Sequence, residues 1–181
     1  MLSETLKKGL LISRSALEAR FFGTEILKFN NPEFQKKAAT FVTLKINGQL
    51  RGCVGNLEPY ENLAESIVRN TRSSAFSDDR FPPVSIEELK KIKIELSIIS
   101  DKKTINFRNP DELLNKIRPG VDGIIISYKN YSATFLPQVW QEIKSKRMFL
   151  CKLCEKAGLN PKDWQKLPIR VEVYQIIKIS E

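Results

Sequence analysis

The dipeptide Asn47-Gly48 separates two runs of alternating character, Phe41 to Ile46 and Gln49 to Asn56, and this pattern specifies an antiparallel hairpin. Its register is open in one respect. A two-residue turn suits Asn-Gly, yet setting Val42, Leu44 and Ile46 opposite Leu50, Gly52 and Val54 requires one more loop residue. After Pro59, the stripe Leu63, Ile67, Val68 and Thr71 predicts a helix, ended by the prolines of Ser77-Asp78-Asp79-Arg80-Phe81-Pro82-Pro83-Val84. Ser85 to Leu89 reads as a short capped helix, and Ile92 to Ile98 as a half-buried strand. The order then returns. Gly123 to Tyr128 and Tyr131 to Leu136 form a hairpin about Lys129-Asn130, followed by Pro137, a helical region reaching Lys156 and stopped at Ala157-Gly158, and a closing strand from Ile169 to Ile179. Hairpin, proline, helix, strand thus occurs twice, by duplication or by repeated use of a common unit.

An amphipathic helix over residues 4–22 precedes these units, with Leu6, Leu10, Ser13, Leu17 and Phe21 in one stripe, Leu11 and Ala16 beside it, and Ser3 as N-cap. No segment has linker composition or low complexity, so the expectation is a single domain over 1–181 with one shared core. Its first repeat covers about 40–100 and its second about 120–179.

Thirty Lys and Arg against twenty-one Asp and Glu give a formal charge of +9, which favours an anionic partner, a small molecule or nucleic acid. No apolar run approaches membrane-spanning length, and the first residues do not read as a signal peptide, so a cytoplasmic protein with no membrane partner is expected. Three cysteines without a framework suit reduced thiols in that compartment. Histidine is absent, which excludes Ser-His and Cys-His nucleophile pairs within the chain. It leaves zinc only the three cysteines and a carboxylate, and no metal site is expected.

Leu50-Arg51-Gly52-Cys53-Val54-Gly55 concentrates the chemistry. Period-two alternation places Arg51 and Cys53 on one face, while Gly52 and Gly55 bare the backbone for a close approach. The thiolate is the reactive form of cysteine, and a neighbouring cation favours it. The same residues also read as tight packing with Cys53 as a small core hydrophobe. The spacing of a P-loop is missing. Asp78 and Arg80, in a proline-stiffened loop, either serve the site or pair with each other. Glu95 lies on the polar face of its strand, and Asp122 precedes the second hairpin. Cys151 and Cys154 have redox-pair spacing but fall inside a helical pattern, which reads as core filling. Trp140 and Trp164 read as core or interface anchors, with no base-stacking pattern around them.

The hexapeptide Leu50 to Gly55 resembles the signature of the AMMECR domain family, also called AmmeMemoRadiSam system protein A. Further stretches agree in order: Asp78-Asp79-Arg80-Phe81-Pro82-Pro83-Val84, Gly120-Val121-Asp122-Gly123, Ala133 to Trp140, Phe149-Leu150 and Lys156-Ala157-Gly158-Leu159. The resemblance implies an α+β fold of two β-rich lobes, mainly antiparallel, with a cleft between them and the hexapeptide near it. It also implies association with Memo-type and radical SAM proteins of one pathway. It brings no defined reaction and no cofactor. Val54 stands where many members have isoleucine, and Asp122 where some have histidine, which removes any imidazole mechanism there. Two functions follow as expectations. One is an enzyme or binding protein for an anionic ligand, with Cys53 as nucleophile and Arg51, Gly52, Gly55, Asp78, Arg80, Glu95 and Asp122 about the ligand. The other is a non-catalytic adaptor or a basic nucleic-acid-associated module.

Overall fold

The turn at Asn47-Gly48 sets the hairpin, because both residues adopt the left-handed backbone that a tight two-residue turn requires, with φ of 52° and 78°. A computed structural model describes residues 2–181, the side chains of Leu2 and Ser3 excepted. In it β1 (Thr40–Ile46) and β2 (Gln49–Gly55) pair with Ile46 opposite Gln49 and Lys45 opposite Leu50. The register then shifts, and Leu44, Thr43 and Val42 face Gly52, Cys53 and Val54. The extra residue demanded by the apolar pattern therefore sits in a bulge at Arg51, and the turn keeps its two residues.

Helix α1 (Leu2–Phe22) buries Leu6, Leu10, Ala16 and Leu17, with Ile12 added to the expected stripe. Ser13 holds its place among them because its hydroxyl hydrogen-bonds the Thr71 hydroxyl at 2.7 Å. Leu11 does not join; it is 51% exposed, turned about 100° beyond Leu10 and off the buried face. Ser3, expected as the N-cap, stands inside the helix, and its side chain lies outside the described residues. After the short α2 (Pro32–Gln35), α3 (Leu63–Phe76) opens on an Asn62 side chain that accepts from the Glu65 N–H at 2.9 Å. The turn α4 (Ile86–Leu89) leads into β3 (Ile92–Ile99), antiparallel to β1.

The remaining elements are β4 (Lys103–Ile105), α5 (Pro110–Lys116), β5 (Gly123–Tyr128), β6 (Tyr131–Phe135), α6 (Lys146–Ala157), β7 (Arg170–Tyr174) and β8 (Ile176–Ser180). The fold is α+β with two four-stranded antiparallel sheets, ordered β2-β1-β3-β8 and β6-β5-β7-β4. Both hairpins thus receive a later strand beside their own first strand. The single closing strand expected from Ile169 to Ile179 is two strands broken at Gln175, which belong to different sheets. The apolar period keeps its phase from Val173 to Ile177, with Gln175 as the one polar residue at an apolar position, where the chain changes sheet. The helical stretch after Pro137 is likewise two pieces, a 3-10 turn (Pro137–Gln141) and α6, which ends on Gly158 with φ of 82°. β4, α5 and α2 were not anticipated; the first is only three residues long.

The chain through Ile99, together with Ile177–Glu181, forms one compact unit, and Ser100–Ile176 forms another. In place of one shared core there are two clusters, one built on Val42, Leu44, Ile67 and Leu96, the other on Leu113, Ile126, Phe149 and Val171. Trp140 stacks on Phe149 with centroids 3.7 Å apart in the second. Among the described residues no helix is long and apolar enough to cross a membrane.

Two glycines of the hairpin differ in what an added methyl would meet. A Cβ on Gly52 would lie 2.1 Å from the Ser74 carbonyl oxygen of α3, whereas one on Gly48 meets nothing within 4 Å and suffers only its φ of 78°. Gly52→Ala is expected to destabilise by about 3 kcal/mol and Gly48→Ala by about 1 kcal/mol in urea unfolding. Equal costs would contradict the packing.

Candidate functional site

Strand β2 ends its sheet, so the outward main-chain groups of its residues need partners from elsewhere. Side chains supply them. The Cys53 N–H donates to Asp78 Oδ2 at 2.8 Å, and the Cys53 carbonyl accepts from Arg80 Nη2 at 3.1 Å. The Val54 N–H donates to Ser74 Oγ at 2.9 Å. The space beside Gly52 is therefore filled by the end of α3, and that beside Gly55 by the Phe41 ring and the Thr40 carbonyl.

Asp78 is the brace of this arrangement. Its Oδ1 accepts from the Arg80 N–H at 3.2 Å and Nε at 2.9 Å, and its Oδ2 accepts from Arg80 Nη2 at 2.7 Å. Its side chain is 6% exposed. The Arg80 hydrogen bonds, and after them the Cys53 N–H, hold its carboxyl far below the usual carboxylate range, against the opposing effect of burial. Arg80 stays 56% exposed and makes no hydrogen bond through Nη1 among the described residues.

Arg51, the bulge residue, is bound from another direction. Its Nε donates to Glu88 Oε1 at 2.6 Å, and its Nη2 to Glu88 Oε2 at 2.8 Å and the Pro82 carbonyl at 2.9 Å. Glu88 is set by the start of α4, where it accepts from the Ser85 N–H at 2.9 Å. The Arg51 hydrogen bond lowers the Glu88 pKa despite burial. The Arg51 side chain is 11% exposed, and its buried Nη1 has no acceptor among the described residues. The Phe81 ring has the Arg51 guanidinium 5.8 Å and the Arg80 guanidinium 5.6 Å from its centroid.

The co-facing of Arg51 and Cys53 rested on unbroken alternation, and the bulge breaks it. Their side chains have separate partners: Cys53 Sγ lies 3.3 Å from Thr43 Oγ1. The register carries this contact on, since Thr43 pairs with Cys53 on one side and with Glu95 on the other. A thiol, a hydroxyl and a carboxylate thus form one row across β2, β1 and β3. Glu95 accepts from Lys45 Nζ at 3.2 Å and Ser180 Oγ at 3.2 Å, with Lys178 Nζ at 3.7 Å. Burial raises its pKa, but the Lys45 hydrogen bond and the Lys178 charge outweigh it and leave it lowered.

Asp122 belongs to the other unit and is taken up there. Its carboxylate accepts from the Arg118 N–H at 2.9 Å and Nη2 at 2.6 Å, and its carbonyl from the Trp140 indole at 2.8 Å. Cys151 and Cys154 are free thiols, and burial pushes Cys154 up. Among the described residues no group of three or more His, Cys, Asp or Glu is placed to hold a metal ion. Thr43, Ser74 and Glu88 were missed from the sequence. Only Glu88 carried a signal, as the acidic residue of Ser85-x-x-Glu88, and that signal concerns the helix start, not the arginine 37 positions away.

A family model described as AMMECR1 matches residues 10–179. "Protein TV1384" of Thermoplasma volcanium is 35% identical over 178 residues, 96% of this chain and 88% of that protein. "Protein MJ0810" of Methanocaldococcus jannaschii is 38% identical, with 94% and 88% covered. A crystal structure of an uncharacterized protein, PH0010 from Pyrococcus horikoshii, superposes with a TM-score of 0.75 at 33% identity, covering 97% of this chain and 90% of that one.

The lowered carboxyls of Asp78 and Glu88 set a pH dependence. A depressed folded pKa contributes stability above the ordinary carboxylate range, and the contribution is lost as pH falls through the folded value. Asp78→Asn is expected to cost about 2 kcal/mol at pH 7 in urea unfolding. The gap to the unchanged protein should narrow as the pH drops below about 4; a gap constant to pH 3 would remove the ionic role.

Proposed function

The chain belongs to the AMMECR1 family, and from that premise we propose that the Leu50–Gly55 strand is a binding site for an anionic ligand, with Arg80 as its accessible cation and Cys53 as the thiol beside it. One observation carries the reading. Arg80 clamps the Cys53 carbonyl at 3.1 Å while more than half of its side chain stays open to solvent. A guanidinium so held is preorganised for a carboxylate or phosphate, with Nη1 left to donate.

The other charges divide into supports and surroundings. Arg51 is a positioning residue, since Glu88 and the Pro82 carbonyl occupy its donors and keep the bulge in place. Asp78 is neutralised by Arg80 and orients it. Glu95 is offset by Lys45 and Lys178, so the row running from Cys53 through Thr43 ends in a net positive group. An anion is attracted to the Glu95 end of the row, while the Asp78–Arg80 pair beside Cys53 is neutral overall and offers the ligand a donor. In the catalytic form of this reading Cys53 supplies the nucleophile; in the binding form it only touches the ligand, and Cys53→Ser separates the two.

The test is alkylation of Cys53 by iodoacetamide, read by mass spectrometry of its peptide, with and without inorganic pyrophosphate. Pyrophosphate is expected to slow labelling at least threefold in the unchanged protein and not in Arg80→Gln, while Cys151 labels at one rate throughout. Unprotected Cys53, or equal protection in the variant, would sink the proposal.

A further inference from the structure

The excess of positive charge is uneven along the chain. Residues 100–176 hold fourteen Lys and Arg against eight Asp and Glu, +6 of the total +9. Within this unit a pocket of about 630 Å³ opens where the chain leaves β4 and enters β7, between residues 104–110 and 164–170. That volume suits a small organic molecule. Its lining includes Arg108, Lys166 and Arg170 and not one carboxylate.

These cations are unequally engaged. The Lys166 ammonium has no partner among the described residues. The Arg108 guanidinium donates no hydrogen bond there, though its main-chain N–H donates to Glu112 at 2.9 Å and its charge helps to lower the Glu112 pKa. Arg170 is shared, giving Nη2 to Glu172 at 2.9 Å and to Thr104 Oγ1 at 3.4 Å. A second, independent observation points to the same place. Trp164 lines the pocket at 1% exposure, and its indole N–H is buried without an acceptor among the described residues. The other tryptophan, Trp140, satisfies its N–H on the Asp122 carbonyl at 2.8 Å. An orphaned buried donor is uncommon and costs about 1–3 kcal/mol, and this one belongs to a side chain of the pocket's lining.

We propose that this pocket binds the phosphate group of a small phosphorylated molecule, with Arg108 and Lys166 as the principal cations, Arg170 beside them, and half-buried Phe107 and Leu167 against the organic part. Phosphate fits better than a single carboxylate because it carries up to two charges and three acceptor oxygens, enough for a planar guanidinium and an ammonium together. The site is separate in sequence from Cys53 and stands or falls independently of it.

Trp140→Phe leaves Trp164 as the one indole, so its fluorescence reports the pocket. Titration with pyrophosphate and with AMP is expected to give a saturable change with Kd of about 1 mM or tighter, and titration with adenosine to give none. Arg108→Glu with Lys166→Glu should weaken binding at least tenfold at unchanged Tm, whereas Arg80→Gln should leave it intact. Calorimetry on chains retaining both tryptophans repeats the comparison without the Trp140 change. No saturable response to either phosphate compound, citrate binding as tightly as pyrophosphate, or full affinity in the double variant would overturn the proposal.

Discussion

A carboxylate and a guanidinium stand in for a missing strand, and the candidate site depends on that substitution. At Cys53 the outer edge of β2 offers one N–H and one C=O, and Asp78 and Arg80 accept the first and donate to the second. Neither side chain could do this alone. An isolated buried carboxylate would be driven toward its neutral form, and an unanchored arginine would lose too much rotamer freedom. Bonded to each other, they hold one geometry. The edge is thereby closed to pairing with another chain while the thiol on the same residue remains half-exposed.

The hairpin shows how much of this was legible and where legibility stopped. Turn chemistry at Asn47-Gly48 and the apolar alternation of Val42, Leu44 and Val54 were both read correctly, and their conflict was visible as one surplus residue. The chain resolves it with a bulge, which satisfies both and interrupts the alternation from which a shared face for Arg51 and Cys53 was inferred. The elements with strong periodicity, α1, α3, β3 and the second hairpin, were plain. What could not be read were bonds between distant positions, such as Arg51 to Glu88 and Cys53 to Asp78, and the sheet change at Gln175, where a single polar residue at an apolar position is the only mark. Asp122 was visible only as the carboxylate before the second hairpin; the bonds from Arg118, four positions away, that hold it were not.

The two sheets share more than strand order. β3 is followed directly by β4, and β7 directly by β8, so each strand that completes a hairpin sheet hands the chain on to the outer edge of the other sheet. The two crossing points bond to one another, with the Ser100 N–H donating to the Gln175 carbonyl at 2.9 Å and the Gln175 N–H to Ser100 Oγ at 2.8 Å. The Ser100 N–H and hydroxyl thus satisfy both main-chain groups of Gln175 where the chain leaves one ladder before joining the next.

This exchange governs the order in which the molecule can be made. Glu181 reaches back 87 positions to the Ile94 N–H, and β8 beside it is the last piece of the sheet that begins at Thr40. A nascent chain leaving the ribosome therefore carries its earliest-synthesised sheet with the outer edge of β3 unpaired until translation has passed Ile176–Ser180. During that interval β3 offers an open edge to any other extended segment, and the burden of keeping it solitary falls on the cell's folding machinery.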